Sequence, residues 1–447
     1  MRSMIVLLVG LFGNTIDPCL AITWCEPGTQ WKFHLLDFDV DRIRTYTYMN
    51  DVVVDGLNAN WIQRVDTGSA YEIQNIYTYH QNNVIFKRIS ANNWDTLYYF
   101  GQVGDKWWPL ITAGTGCTYP QGMIIITQVD SIYIGNTIIG RWRLAYTNAQ
   151  GQPNNSYSFY MYDRFGTIDL RIDPTYCNNI VVDYWWTNFL SFTDPDITIT
   201  TWPSTFVSLN IRTLLDGPFD PVLMRMSDDL RTANLIPTTQ PYLTSGHMGM
   251  EMFGQSLLYI EGDNAIVDWI LVELRTGSSP SILIQKRAFL LQRDGDVIDV
   301  NGNNLLRFYA VPAGSYHVSV RHRNHLGIMT ATPHNLNGNI TLLDLTLPST
   351  LTYGSNARKI YPDVATMWSG NAISDHQVRY TGLGNDRDPI LVRIGGIVPT
   401  LTLAGYYPED LNMDGATRYT GTNNDRDVIL QNIGGIIPTN TLYQQIP

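Results

Sequence analysis

The stretch Arg379-Tyr-Thr-Gly-Leu-Gly-Asn-Asp-Arg-Asp-Pro-Ile-Leu-Val-Arg-Ile-Gly-Gly-Ile-Val-Pro-Thr-Leu-Thr-Leu403 returns 39 residues later as Arg418-Tyr-Thr-Gly-Thr-Asn-Asn-Asp-Arg-Asp-Val-Ile-Leu-Gln-Asn-Ile-Gly-Gly-Ile-Ile-Pro-Thr-Asn-Thr-Leu442, and 18 of the 25 aligned positions are identical. A repeat this strong requires two like units. Two copies fall short of the roughly three that a solenoid needs, so a self-contained pair related by pseudo-twofold symmetry is expected over 355–447.

Ahead of the second copy stands Asp410-Leu411-Asn412-Met413-Asp414-Gly415. Oxygen side chains at alternate positions followed by a glycine open a calcium loop, because a hard cation gathers several oxygens and the glycine permits the turn that aims them inward. Asp410, Asn412 and Asp414 would offer side-chain oxygens and Ala416 its carbonyl. The usual twelfth-position carboxylate would fall on Gly421, which has none, so a lengthened loop closing on Asp425 or Asp427 is expected. A short helix should follow and end at Gly434-Gly435. The first copy is poorer. It offers Asn371, Asp375, Asp386 and Asp388, but Ile373 and His376 stand where Asn412 and Gly415 stand in the second. Calcium is therefore expected in the second loop and weakly or not at all in the first. Asx-rich turns capping helices without metal are the alternative for both.

These residues resemble the duplicated calcium-loop module of type I dockerins, in an elongated variant with Asn-Asp-Arg-Asp, then Ile-Leu, then Gly-Gly. Such variants are similar to those at the ends of large exported proteins of Bacteroidota-type bacteria. The segments Ala265 to Leu274, Gln292 to Val297 and Arg321 to Gly327 also resemble the β-domain that precedes such tails. The resemblance implies an extracellular, surface or matrix role and no catalytic residues. Dockerins pair with cohesins. The insertion and the damaged first loop depart from that pattern, so an intramolecular or self-assembly role is expected instead.

Upstream, the chain reads as β. Thr, Val, Ile and Asn abound among 26 Tyr and 12 Trp, residues that suit pleated, half-buried surfaces. Short alternating runs with polar breaks fill 22–200 as one or two Tyr/Trp-rich β domains. Over 205–348, Ile266 to Leu274 reads as a central strand and Arg293-Asp294-Gly295-Asp296 as a hairpin turn. Tyr316 to Arg321 alternates strictly, and the block is expected to be an immunoglobulin-like sandwich. The fold class is thus mainly β: tandem β-sandwich (immunoglobulin-like) domains followed by a small dockerin-like calcium-loop repeat pair with short helices.

Arg2, the apolar run Met4 to Phe12 and Cys19-Leu20-Ala21 read as a signal peptide over 1–21. That run is far shorter than the roughly 20 residues a membrane-spanning helix needs, and no transmembrane segment is expected later. Removal would leave Cys25, Cys117 and Cys177, enough for one disulfide whose pairing stays open. A net charge of −11 argues against nucleic acid as a partner.

Catalytic motifs are not found, and an enzyme is not expected. His317, His322, Arg323 and His325 read as solvent-facing or hydrogen-bonded strand residues rather than a metal or acid–base triad. Met248, Met250 and Met252 read as packing, and Asp37, Asp39 and Asp41 as strand alternation. In Trp107-Trp108 and Trp185-Trp186 adjacent positions face opposite ways, so at most one of each pair could present a sugar platform. The sequence therefore reads as a non-enzymatic extracellular structural or adhesive protein of the cell surface. It would self-associate into a fibre or layer or join other surface proteins, with Ca2+ stabilising its tail. A carbohydrate-binding surface protein, recognising glycans through exposed Trp and Tyr, is the rival.

Overall fold

The structure is a computed structural model that describes residues 24–37, 40–68, 71–108, 123–134, 137–147, 151–167, 186–200 and 205–447. The expected signal peptide and Cys117, Cys177, Asp39 and Trp185 lie outside the described residues. The chain is mainly β, with several antiparallel sheets and three short α-helices among the described residues.

The N-terminal part is one two-sheet unit. Eight strands form the larger sheet, running in order Thr198–Ile199, Trp186–Thr193, Gln30–Asp37, Val40–Val54, Leu57–Gly68, Glu72–Gln81, Val84–Ser90 and Asn93–Tyr99. A five-stranded sheet built around Ile124–Ile134 and Thr137–Thr147 packs on it. Period-two alternation does the sorting: Ile62, Ile76 and Ile85 point into the shared core, where they meet Ile126, Val129 and Leu144. Aromatic rings fill the seam, with Phe100 edge-on to Trp142 at 4.9 Å. The Trp142 indole is satisfied there by the Gly101 carbonyl at 3.0 Å. Cys25 is buried in this core. Trp107 is 8% exposed and Trp108 53%, so the two neighbours divide between core and solvent as the pleat requires.

A second sandwich follows. One sheet runs Val297–Ile298, Leu283–Gln292, Ile266–Thr276, Gly314–His322, His325–Met329, with His334–Leu336 also paired to Gly314–His322. Facing it, Phe206–Arg212 pairs with Leu306–Tyr309 and, in parallel, with Ile340–Asp344. Ile266–Thr276 is buried at every position but its last, because it is the middle strand and is covered on both faces.

Two boundaries are less clean than the sequence blocks suggest. Met250 and Met252 belong to the N-terminal core, and Met367 and Met413 to that of the sandwich. Thioethers of adaptable shape thus plug the joins between units.

In the C-terminal pair, helices Arg387–Arg393 and Asp425–Asn432 each end in the same way. Gly435 N donates to Leu430 O and Gly434 N to Gln431 O, and Gly396 and Gly395 do likewise to Leu391 and Val392. This pattern needs left-handed backbone at the first glycine, and φ is +109° at both Gly395 and Gly434. The copies are interlocked. Strand Thr402–Ala404, which leaves the first, pairs with Ala416–Arg418 in the second loop, and Thr441–Tyr443, which leaves the second, pairs with Gln377–Arg379 in the first. Thr420 donates to the Pro399 carbonyl, and Thr381 to that of Pro438.

Candidate functional site: the second repeat loop and its seat on the sandwich

Asp425 is the centre of the second loop. Its Oδ1 accepts from Leu411 N at 2.6 Å and Asn412 N at 3.3 Å, while its Oδ2 accepts from Arg418 N at 2.7 Å. One carboxylate therefore ties the entering and leaving arms together. Asp410 is fully buried and accepts from Gly415 N through Oδ2, while its Oδ1 has no hydrogen-bond partner. Burial pushes the Asp410 carboxyl up to about 6; burial together with the Asp410 charge pushes Asp425 up to about 8. Two acids enclosed together are thus held in an unfavourable place for negative charge.

The remaining candidates divide. Asn412 Oδ1 accepts from Asp414 N and Asp414 Oδ1 from Ala416 N, which winds the loop as consecutive Asx turns. Met413 occupies the left-handed region at φ +60°. Arg418 Nη1 is bonded to Asp414 Oδ2 and stands 3.4 Å from the Ala416 carbonyl. One guanidinium nitrogen thus stands between two of the expected ligands and brings the positive charge that they attract. Asp427 is not gathered into the loop. Its carboxylate accepts from Asn424 Nδ2 and pairs with Arg426, and its amide donates to Asn424 Oδ1, so the two residues cap the helix. The lengthened loop closes on Asp425, not Asp427.

The first loop repeats this frame without the second acid. Asp386 accepts from Ile373 N and Arg379 N, and burial raises its carboxyl to about 7. Asn371 stands in the place of Asp410 and exchanges hydrogen bonds with the Asp375 backbone. Asp375 Oδ1 accepts from Gln377 N. Asp388, like Asp427, serves the helix start through Asn385.

Among the described residues no three or more His, Cys, Asp or Glu side chains form a metal-holding group. A cation in the second loop would therefore rest on Asp410 and Asp425 with amide and carbonyl oxygens. The fit lies in the orphaned Asp410 Oδ1 and in the cationic nitrogen already drawn to Asp414 and Ala416 O.

The loop sits on a buried polar seam that sequence reasoning missed. Asn324 Nδ2 donates to the Asp410 carbonyl at 2.6 Å, and Ser369 Oγ to that of Leu411 at 2.7 Å. Arg323 donates to the Tyr407 carbonyl and to Asp268 Oδ2, and Tyr406 Oη to Asp268 Oδ1 at 2.6 Å. Arg323 also covers the Tyr406 ring at 4.3 Å. His322 and His325 lie in the same seam, and of the two expected alternatives they follow the second: they are hydrogen-bonded strand residues, buried and not solvent-facing. His317 is likewise buried and bonds the Thr330 carbonyl. The signal available in the sequence was the unbroken polar run Arg321 to His325 inside an otherwise apolar block. Paired charges are the usual reason for such a run in a core. Compared with family models, curated proteins and solved structures, the chain matches none.

Proposed function

We propose that the chain is a non-enzymatic extracellular structural or adhesive protein whose C-terminal pair is a variant dockerin-like module stiffened by calcium in its second loop. The observation that carries this reading is the buried, unpartnered Oδ1 of Asp410 beside a second buried carboxylate, Asp425. Asp410, Asn412, Asp414, the Ala416 carbonyl and Asp425 would hold the ion. Its charge would relieve the repulsion between the two acids and draw Asp414 away from Arg418. Because the site exists only in the folded tail, binding adds to stability. The tail's seat on Asn324 and Ser369 would then be stiffened as well. Export rests on the N-terminal apolar segment.

Association with a second copy or another surface protein is supported by apolar side chains on the repeat shoulders. Ile397 and Ile436, equivalent in the two copies, are each 88% exposed, more than a lone surface aliphatic requires. Melting with and without chelator tests the calcium reading, and equal melting of the tail would sink it. Size-exclusion chromatography with electron microscopy tests assembly, and monodisperse monomer at all concentrations would overturn it.

Glycan recognition is favoured by one feature of the large sheet. Tyr77 and Tyr79 alternate with the buried Ile76 and Thr78 and so lie on the outer face. There Trp61 pairs across from Tyr77, and Tyr79 stacks on Phe86 at 4.7 Å and meets Trp94 at 5.0 Å. A glycan array against this chain and a Trp94→Ala variant separates the two readings.

A further inference from the structure

A cleft of about 570 Å³ opens between the N-terminal unit and the sandwich, within the range usual for small-molecule sites. Gln128 and Asp130 line it from the N-terminal unit, and Arg287, Asp299, Asn303 and Arg307 from the sandwich. Ile298 and Leu305 are its aliphatic contributors. We propose that this cleft binds a neutral saccharide, as a site separate from the aromatic sheet face and independent of the calcium reading.

The chemistry of the walls selects the ligand. Carboxylates only accept hydrogen bonds, guanidinium groups only donate, and amides do both. A hydroxyl also does both, so a polyhydroxylated ring can satisfy neighbouring Asp, Asn and Arg together. Asp130 and Arg287 neutralise each other and Asp296 is paired with Arg212, so the lining offers a charged ligand little net attraction. An apolar ligand finds little to cover. Arg287 is 5% exposed, and its guanidinium is held by Asp130 at 2.9 Å and the Arg307 carbonyl, with Nε 3.7 Å from Glu251, so this wall of the cleft is fixed and does not bring a mobile charge.

The walls are also built before any ligand arrives. Asp130 is fixed by Arg141 at 2.6 Å and Arg287 at 2.9 Å. On the opposite rim Asp299 Oδ1 accepts from Asn301 N and Asn303 N, both at 2.9 Å, and Asp299 N donates to Asn303 O. That loop holds Asn303 and Asn304 at the mouth without needing to order on binding, which lowers the entropic cost of association.

Isothermal titration of the full chain, in excess calcium, against gluco-, xylo- and manno-oligosaccharides tests the assignment. Asn304 and Arg307 are exposed and outside the hydrophobic cores, so Asn304→Ala, Asn304→Trp and Arg307→Ala should melt like the parent. At least one neutral sugar should bind, weakened about tenfold by either alanine, the scale of one or two lost hydrogen bonds. Asn304→Trp should abolish binding by filling the mouth. Any of three results would overturn the proposal: no neutral sugar binds at about millimolar concentration, the scale of weak sites; only charged sugars bind; or a bound sugar is indifferent to all three variants while Trp94→Ala removes it. Each leaves the chelator melt of the tail untouched.

Discussion

His322 Nδ1 lies 3.0 Å from His325 Nδ1, and the bonds on their outer nitrogens dictate which one carries the proton. Gly217 N donates to His325 Nε2 at 3.0 Å, so that nitrogen is bare and the proton sits on His325 Nδ1. It points at His322 Nδ1, shared with Asn324 Oδ1 at 2.8 Å. His322 Nε2–H then donates to Asp268 Oδ2 at 3.1 Å. Both rings are neutral in this chain, and a further proton on either sets two donors face to face.

Acid should therefore loosen the tail from the sandwich. Burial depresses His322, and burial, with any proton on His322 and the Arg323 and Lys359 charges adding to it, depresses His325 far below the ordinary histidine value. The unfolded chain binds protons that the folded one refuses. Stability is lost as pH falls below about 6.5, at up to about 1.4 kcal/mol per pH unit for each ring. Asp268, held at about 2 by Arg323 and hydrogen bonds from His322 and Tyr406 despite its burial, adds its own loss only in stronger acid. Thermal melts of the calcium-loaded chain between pH 7.5 and 5 should show this slope. His325→Gln, which keeps an acceptor for Gly217 N, should reduce it by about half; an unchanged slope would refute the role of the pair.

Metal dependence should follow Asp425 and Asp410 and not Asp427. Chelator is expected to lower the melting temperature of the parent, while Asp410→Asn and Asp425→Asn should lose the calcium response. Asp386→Asn should keep it, since the first loop lacks the second acid. Asn424→Ala should keep the response as well but lower stability by about 1 kcal/mol, the usual worth of a helix N-cap. Calorimetry with added calcium reads all four, and a calcium-responsive Asp425→Asn variant would remove the site.

The repeat told more than composition did. Identical spacing was enough to place the repeated loops and their Gly-Gly helix ends, because each depends on residues near in sequence. Choosing between Asp425 and Asp427 was not possible from spacing, since it turns on whether Asn424 caps the helix. Arg418 was legible only as a repeated residue; that it sits between Asp414 and Ala416 O depends on the strand pairing with Thr402–Ala404. The burial of His322 and His325 was invisible for a similar reason. Their partners lie far off on the chain: Gly217 is 108 residues from His325, and Asp268 is 54 residues from His322.

The two units should separate when Asp130 is lost. It accepts from Arg141 in its own sheet and from Arg287 in the sandwich, and all three are buried. Asp130→Ala would leave two guanidinium groups enclosed without their shared carboxylate, and breaking such a buried arrangement costs about 3–5 kcal/mol. Arg287→Met should be milder, because Arg141 still neutralises Asp130, His247 still bonds the buried Glu251 that Arg287 approaches at 3.7 Å, and the methionine fills the stem's volume. Urea denaturation followed by tryptophan fluorescence reports mainly the N-terminal unit, which buries Trp24, Trp31, Trp107 and Trp142 in its core. The expected order is Asp130→Ala well below Arg287→Met, itself slightly below the parent. If Arg287→Met were the more damaging, the carboxylate would not be the element that holds the two units together.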